Sequence, residues 1–134
     1  MSEEQRDMQD GTESLRQHEA ECAEGRTAPR VALQDIHDSI SCTVYTTGDQ
    51  LFPEDRGTYS ERLDASVLTI CLVVLKNGFT VLGKSAPASR ENFDPELGKK
   101  LAFDNAVQQL WPLMGFSLKD RLHASAAVEA TYSR

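Results

Sequence analysis

The chain has 134 residues, enough for one modest domain, and a domain of that size buries about two thirds of the surface its unfolded form exposes. Its formal charge of −7 is divided unevenly: residues 1–64 carry 6 Lys/Arg against 15 Asp/Glu, net −9, and residues 65–134 carry 8 against 6, net +2. An acidic surface repels phosphate at long range, so general coating of nucleic acid is not expected, a local basic patch on the second half stays open, and a protein or small ligand is the favoured partner.

Residues 1–30 are Glu, Gln, Asp, Arg, Ser and Gly with almost no large apolar side chains, which predicts a disordered acidic arm. They contain no apolar signal segment, and the longest apolar run, Ile70–Leu75, is far shorter than a membrane span. Cys22, Cys42 and Cys71 are widely spaced and include no Cys-x-x-Cys pair, which fits a reducing compartment. A soluble, intracellular protein is expected, with one α+β domain over 31–123 and a flexible tail over 124–134.

The domain opens with Val31, Leu33, Ile36, Ile40 and Val44, whose spacing of three to four residues predicts a first helix over 31–44, ended by the β-branched and aromatic run Thr43–Thr47. His37 lies between Asp35 and Asp38 but reads as a surface histidine, because adjacent helical residues do not converge on one ion. Gly48–Leu63, with Gly48, Pro53, Gly57 and several acids, reads as a long loop and a candidate partner-contacting segment.

A strand follows over Ser66–Leu75, and Asn77-Gly78 predicts a two-residue type I′ turn into a return strand, Phe79–Ser85. That loop length pairs Val74 with Val81 and Leu72 with Gly83, leaving Cys71, Val73 and Leu75 with Leu82 on the other face. Both faces of the first strand are apolar, so helices are expected on one and a second subunit on the other, with Cys71, Val73, Leu75 and Leu82 as the candidate dimer interface. Asp94 then caps a long helix with Pro95 at its first position, and Pro112 stops it. Gly115 and Ser117 separate a short last helix, Leu118–Leu122.

No Ser, Cys or His stands in a nucleophile motif; His18, His37 and His123 fall in separate segments. Gly78, Gly83 and Gly98 belong to a turn, a strand and a helix, and form no phosphate loop. Neither catalysis nor a metal or cofactor is expected. The polar constellation of interest is Lys84, Ser85, Ser89, Arg90 and Asn92 beside the long helix, with Lys99 and Lys100 one turn along, a candidate anion or partner site weakened by Asp94 and Glu96.

The run Leu72–Val81, with Gly83, Ser85-Ala86, Ala88-Ser89, Glu91–Asp94, Gly98-Lys99, Ala102, Asn105-Ala106 and Trp111-Pro112-Leu113, resembles a family of small tailed-bacteriophage and prophage proteins over about residues 31–122. Pro87 stands where many relatives are expected to have cysteine, which argues against thiol chemistry there. The resemblance implies a non-catalytic accessory protein in the cytoplasm of an infected bacterium. It would bind and inhibit a host protein, above all one of an antiviral defence system. Two other readings stay open. The order of elements and Gly98-Lys99-Lys100 are similar to a double-stranded-RNA-binding domain, and a nucleotide signal is a third class of ligand.

Overall fold

The computed structural model describes Arg16 and residues 28–132. The acidic arm therefore lies, apart from Arg16 and its last three residues, outside the described residues. The elements in order are α1 (Leu33–Ser39), β1 (Ile40–Thr47), a 3-10 turn (Gly48–Leu51), α2 (Tyr59–Ser66), β2 (Thr69–Leu75), β3 (Thr80–Ser85), a 3-10 turn (Arg90–Asn92) and α3 (Pro95–Tyr132). The strands form one antiparallel sheet in the order β1-β2-β3. The fold is α+β with a long C-terminal helix, as the sequence predicts.

Four elements differ from expectation, each for a local reason. The first helix ends at Ser39, and Ile40–Thr47 is a strand. The β-branched and aromatic residues Thr43–Thr47 prefer pleated backbone, and their pairing with β2 extends that preference back to Ile40. The segment expected as a loop contains α2, started by a capping box in which the Thr58 hydroxyl accepts from the Glu61 N–H (3.1 Å) and the Glu61 carboxylate accepts from the Thr58 N–H (3.0 Å). The rest of it is gathered around Arg62, which donates to the Pro53 carbonyl (2.8 Å) and to that of Arg56 and lies over the Phe52 ring.

The hairpin has a three-residue loop instead of two. Gly78 N–H donates to the Leu75 carbonyl (2.9 Å) and Leu75 N–H to the Phe79 carbonyl (2.8 Å). Only Gly78, at φ +89°, takes the left-handed conformation there, whereas a type I′ turn needs two such residues. Lys76 joins the loop because its N–H is taken by the carbonyl of Ser39, the last residue of α1 (2.8 Å). The register is thereby shifted by one, to Val73 opposite Val81, Cys71 opposite Gly83 and Leu72 opposite Leu82, and a one-residue slip exchanges the faces of a strand.

The long helix, finally, is continuous through Pro112 to Tyr132, so the separate last helix and the residues expected as a loose tail belong to α3 as far as the described residues run. Pro112 denies Gln108 its intrahelical donor, but both residues are exposed, where water satisfies a carbonyl at low cost.

One core joins α1, the sheet and α3: Leu33 and Ile36, then Cys71, Val73, Leu75 and Val81, then Ala102, Phe103, Ala106, Val107 and Leu110. Both helices lie on the same face of the sheet. Gly83 sets how closely α3 approaches, since a Cβ there would overlap the Ala102 carbonyl oxygen and reach the Ala106 nitrogen at 2.7 Å. Asn105 and Gln109 fasten the same contact, the first accepting from the Lys84 N–H (3.0 Å) and the second donating to the Leu82 carbonyl (2.7 Å).

Candidate functional site

The core face of the sheet changes character along β2. It is apolar from Leu75 through Val73 to Cys71, then ends at Thr69, opposite Thr47 of β1. Here α3 begins, and a cleft of about 380 Å³ opens between the strands and the helix, lined by Tyr45, Thr46, Thr47, Gln50, Thr69, Phe93, Pro95 and Lys99. Thr69 is only 3% exposed, and its hydroxyl oxygen has no hydrogen-bond partner among the described residues. That oxygen is turned toward Gly98, where a Cβ would stand 2.5 Å from it and 3.7 Å from the Phe93 ring. The Lys99 ammonium sits 5.8 Å from the centroid of the Tyr45 ring. Asp94 accepts from the N–H groups of Glu96 (3.1 Å) and Leu97 (3.3 Å), so the helix terminus is capped by its own chain.

The polar residues singled out from the sequence do not assemble into one patch. Lys84 follows the outer-face alternation of β3, away from α3. The Ser89 hydroxyl donates to Glu91, and Arg90 pairs with Asp64 of α2 at 3.8 Å. Asn92 is exposed in the second 3-10 turn, and Lys100 is half-buried beside Lys99. Of these and Ser85, Lys99 alone lines the cleft. Its neighbours there, Tyr45, Gln50 and Thr69, are distant in sequence and carry no local signal.

Three of the four residues expected at a dimer interface are core residues of this chain. Cys71 and Val73 are 0% exposed and Leu75 is 7% exposed beneath the helices, as the corrected register requires. The outer face of the sheet instead carries Cys42, Val44 and Thr46 on β1, Ile70, Leu72 and Val74 on β2, and Thr80, Leu82 and Lys84 on β3. On it Val44 is 52% and Leu82 56% exposed, and Leu72 and Val74 are half-buried. Leu113, Phe116, Leu122, Val128 and Tyr132 are also exposed along the outer part of α3, spread around the helix axis and not gathered on one face.

Burial sets the electrostatics of the interior. It pushes the Cys71 thiol up to about 11, against the opposing pull of a hydrogen bond with Tyr45, so the thiol is held protonated. It likewise pushes the Asp104 carboxyl up to about 6, one of whose oxygens is buried without a partner among the described residues. His37, packed against Phe103 at 6.1 Å between ring centroids, is held below the usual imidazole value by desolvation and then by the Arg16 charge, with Asp38 pulling upward. Its Nε2 is buried without a partner among the described residues, which replaces the expected surface histidine with a partly buried one. Among the described residues no group of three or more His, Cys, Asp and Glu side chains is placed to hold a metal, and no helix is long and apolar enough to cross a membrane.

Residues 31–122 match the family described as "Phage protein (N4 Gp49/phage Sf6 gene 66) family". No curated protein and no solved structure matches the chain.

Proposed function

Because the chain belongs to this phage protein family, we propose that it is a non-catalytic accessory protein that acts in the cytoplasm of the infected bacterium by binding and inhibiting a host protein, foremost one of an antiviral defence system. The observation that carries the reading is the outer face of the sheet. Val44, Leu72, Val74 and Leu82 form a continuous apolar surface with a polar border at Thr46, Thr80 and Lys84, the composition of a protein-docking face. Binding there is stoichiometric and needs neither a nucleophile nor a cofactor.

The order α1-β1-α2-β2-β3-α3, which apart from the inserted α2 is helix, three strands, helix with α1 and α3 on one face, favours a second reading as a double-stranded-RNA-binding module, by analogy of arrangement alone. Charge weighs against it: Asp94 and Glu96 flank the start of α3, and Lys84 projects from the other side of the sheet. Tagged protein incubated with host lysate at low and high salt, with and without nuclease, separates the two. The docking reading expects one salt-resistant protein partner that Val44→Lys and Leu82→Lys both release. Recovery lost on nuclease treatment or at high salt would overturn it in favour of the RNA module. Light scattering on the purified chain tests self-association on the same face: a wild-type dimer that Leu82→Lys converts to a monomer would assign that face to a second copy instead of a host protein.

A further inference from the structure

We infer that the free edge of β1 pairs with the same edge of a second copy of this chain, joining the two three-stranded sheets into one. The order β1-β2-β3 leaves two edges, and the chain treats them differently. In an antiparallel ladder alternate residues bond to the neighbouring strand, and those between turn their N–H and C=O groups the other way. On β3 the outward groups are taken: the Lys84 N–H donates to the Asn105 side chain (3.0 Å) and the Leu82 carbonyl accepts from Gln109 (2.7 Å). Two side chains of α3 thus close that edge to a further strand, and Lys84 adds a charge to it.

β1 has no such cover. At its two ends the Lys76 N–H donates to the Ser39 carbonyl (2.8 Å) and the Gly48 N–H to the Leu68 carbonyl (2.9 Å), whereas the Leu75 N–H goes to the Phe79 carbonyl on the side of β3 (2.8 Å). The even-numbered residues of β2 are therefore bonded toward β1, and their partners there are Cys42, Val44 and Thr46. Thr43 and Thr47 lie between and face the open edge. Among the described residues the N–H and carbonyl of Thr43 have no partner, and the Thr47 carbonyl receives only a long bond from the Thr46 hydroxyl (3.5 Å). The stretch 39–48 contains neither a charge nor a proline, devices by which edge strands refuse a partner. Its bulge falls between Ile40 and Cys42 and leaves 43–47 regular.

A second copy is the occupant because antiparallel pairing about a two-fold axis is self-complementary: each strand offers the other the same outward N–H and C=O groups. The side chains brought opposite are uncharged and mostly β-branched, the kind of cross-strand pair that stabilises a sheet. Val44, 52% exposed, gains cover at the same axis, while Leu72, Val74 and Leu82 of the docking face stay open. Asp38 and Asp49 stand just beyond the uncharged stretch and each copy carries −7, so association tightens as salt screens the repulsion.

Sedimentation and light scattering on the full chain, from about 1 to about 100 μM and at low and high salt, provide the test. The expected result is a species of twice 14.9 kDa that dissociates on dilution, with the Thr43 amide exchanging more slowly as the dimer fills. Thr43→Pro removes the outward N–H and no bond to β2, and an edge strand tolerates proline there. Two-fold symmetry doubles the loss, so the dimer should weaken on the order of tenfold or more. Cys42→Lys puts a charge on an exposed position beside the edge and should weaken it similarly, which carries the test if circular dichroism shows the proline variant unfolded. Leu82→Lys lies two strands away and should leave this dimer intact, which separates it from self-association through the outer face. A monomer up to about 100 μM, a dimer that neither β1 substitution weakens, or one that Leu82→Lys dissociates would overturn the assignment. A monomer whose Thr43 amide is nevertheless slow to exchange would overturn it in favour of the chain's own arm on that edge.

Discussion

Gly83→Ala tests the packing on which both surfaces depend. The added Cβ would overlap the carbonyl oxygen of Ala102 and stand 2.7 Å from the nitrogen and 2.9 Å from the Cβ of Ala106. Carbon atoms in favourable contact are about 3.5–4.0 Å apart, so α3 would have to retreat by on the order of 1 Å. Because the obstruction is helix backbone, no rotamer change relieves it. The retreat loosens Ala102, Phe103, Ala106 and Val107 from Cys71, Val73 and Val81. Overpacking of this kind costs about 1–3 kcal/mol and here belongs at the upper end, offset by about 0.4–1 kcal/mol from the stiffer unfolded chain. A net loss of about 2 kcal/mol corresponds to a fall of about 8–16 °C in melting temperature for a domain of this size. Thermal and urea unfolding followed by circular dichroism measure it. Gly115→Ala is the control, since nothing lies within 4 Å of its added Cβ, and it should be stabilising by about 0.5–1 kcal/mol. A Gly83→Ala protein that melts within about 2 °C of wild type would refute the close approach of helix and strand.

Two further predictions follow from burial. The Asp104 carboxyl, raised from 3.8 to about 6, holds its proton more tightly in the folded than in the unfolded state, so its contribution makes stability fall as pH rises from about 4 to about 6. Since Asp104 is partly exposed, solvent screening reduces the effect to about 1 kcal/mol. Asp104→Asn should therefore gain that much at pH 7.5, and the advantage should vanish near pH 3.5; a constant difference at all pH values would show that the charge is not its origin. Exposed Cys42 should react with a thiol reagent in the native protein at a rate close to that of a free peptide, whereas Cys71, buried and protonated, should react only on unfolding. Mass spectrometry of the labelled peptides distinguishes them, and fast native labelling of Cys71 would contradict its place in the core.

The elements legible in the sequence are those encoded by local chemistry. Asp94-Pro95 starts α3, Asn77-Gly78 places the hairpin, and the apolar run Ile70–Leu75 supplies β2. The Thr58-x-x-Glu61 capping box was equally available and would have identified α2. β1 was harder to read because its core face, Thr43, Tyr45 and Thr47, is polar and aromatic, while Leu33, Ile36, Ile40 and Val44 happen to follow a helical spacing across the junction of α1 and β1. The hairpin faces turned on one residue. Whether Lys76 ends the strand or enters the loop is decided by its bond to Ser39, a contact between segments far apart in sequence. Val73→Lys consequently probes the core and would unfold the chain without reporting on self-association.

The candidate cleft was legible only through Lys99, because Tyr45, Gln50 and Thr69 reach it by strand pairing and by the return of α3 over the sheet. The chemistry along β2 nevertheless changes toward that end. Toward Leu75 the helix-facing positions are apolar and fully packed, which is what stability alone favours. At Thr69 the series changes to a hydroxyl without a partner, facing a helix residue that lacks a side chain. Valine has nearly the same shape and carries no group to satisfy, so for stability alone it is the better residue there. The outer face shows the opposite departure, with Val44 and Leu82 left apolar where solvent contact favours polar residues. An unsatisfied polar group inside and an uncovered apolar surface outside both weaken the isolated chain, and the uncovered surface is the physical ground for the proposed docking face.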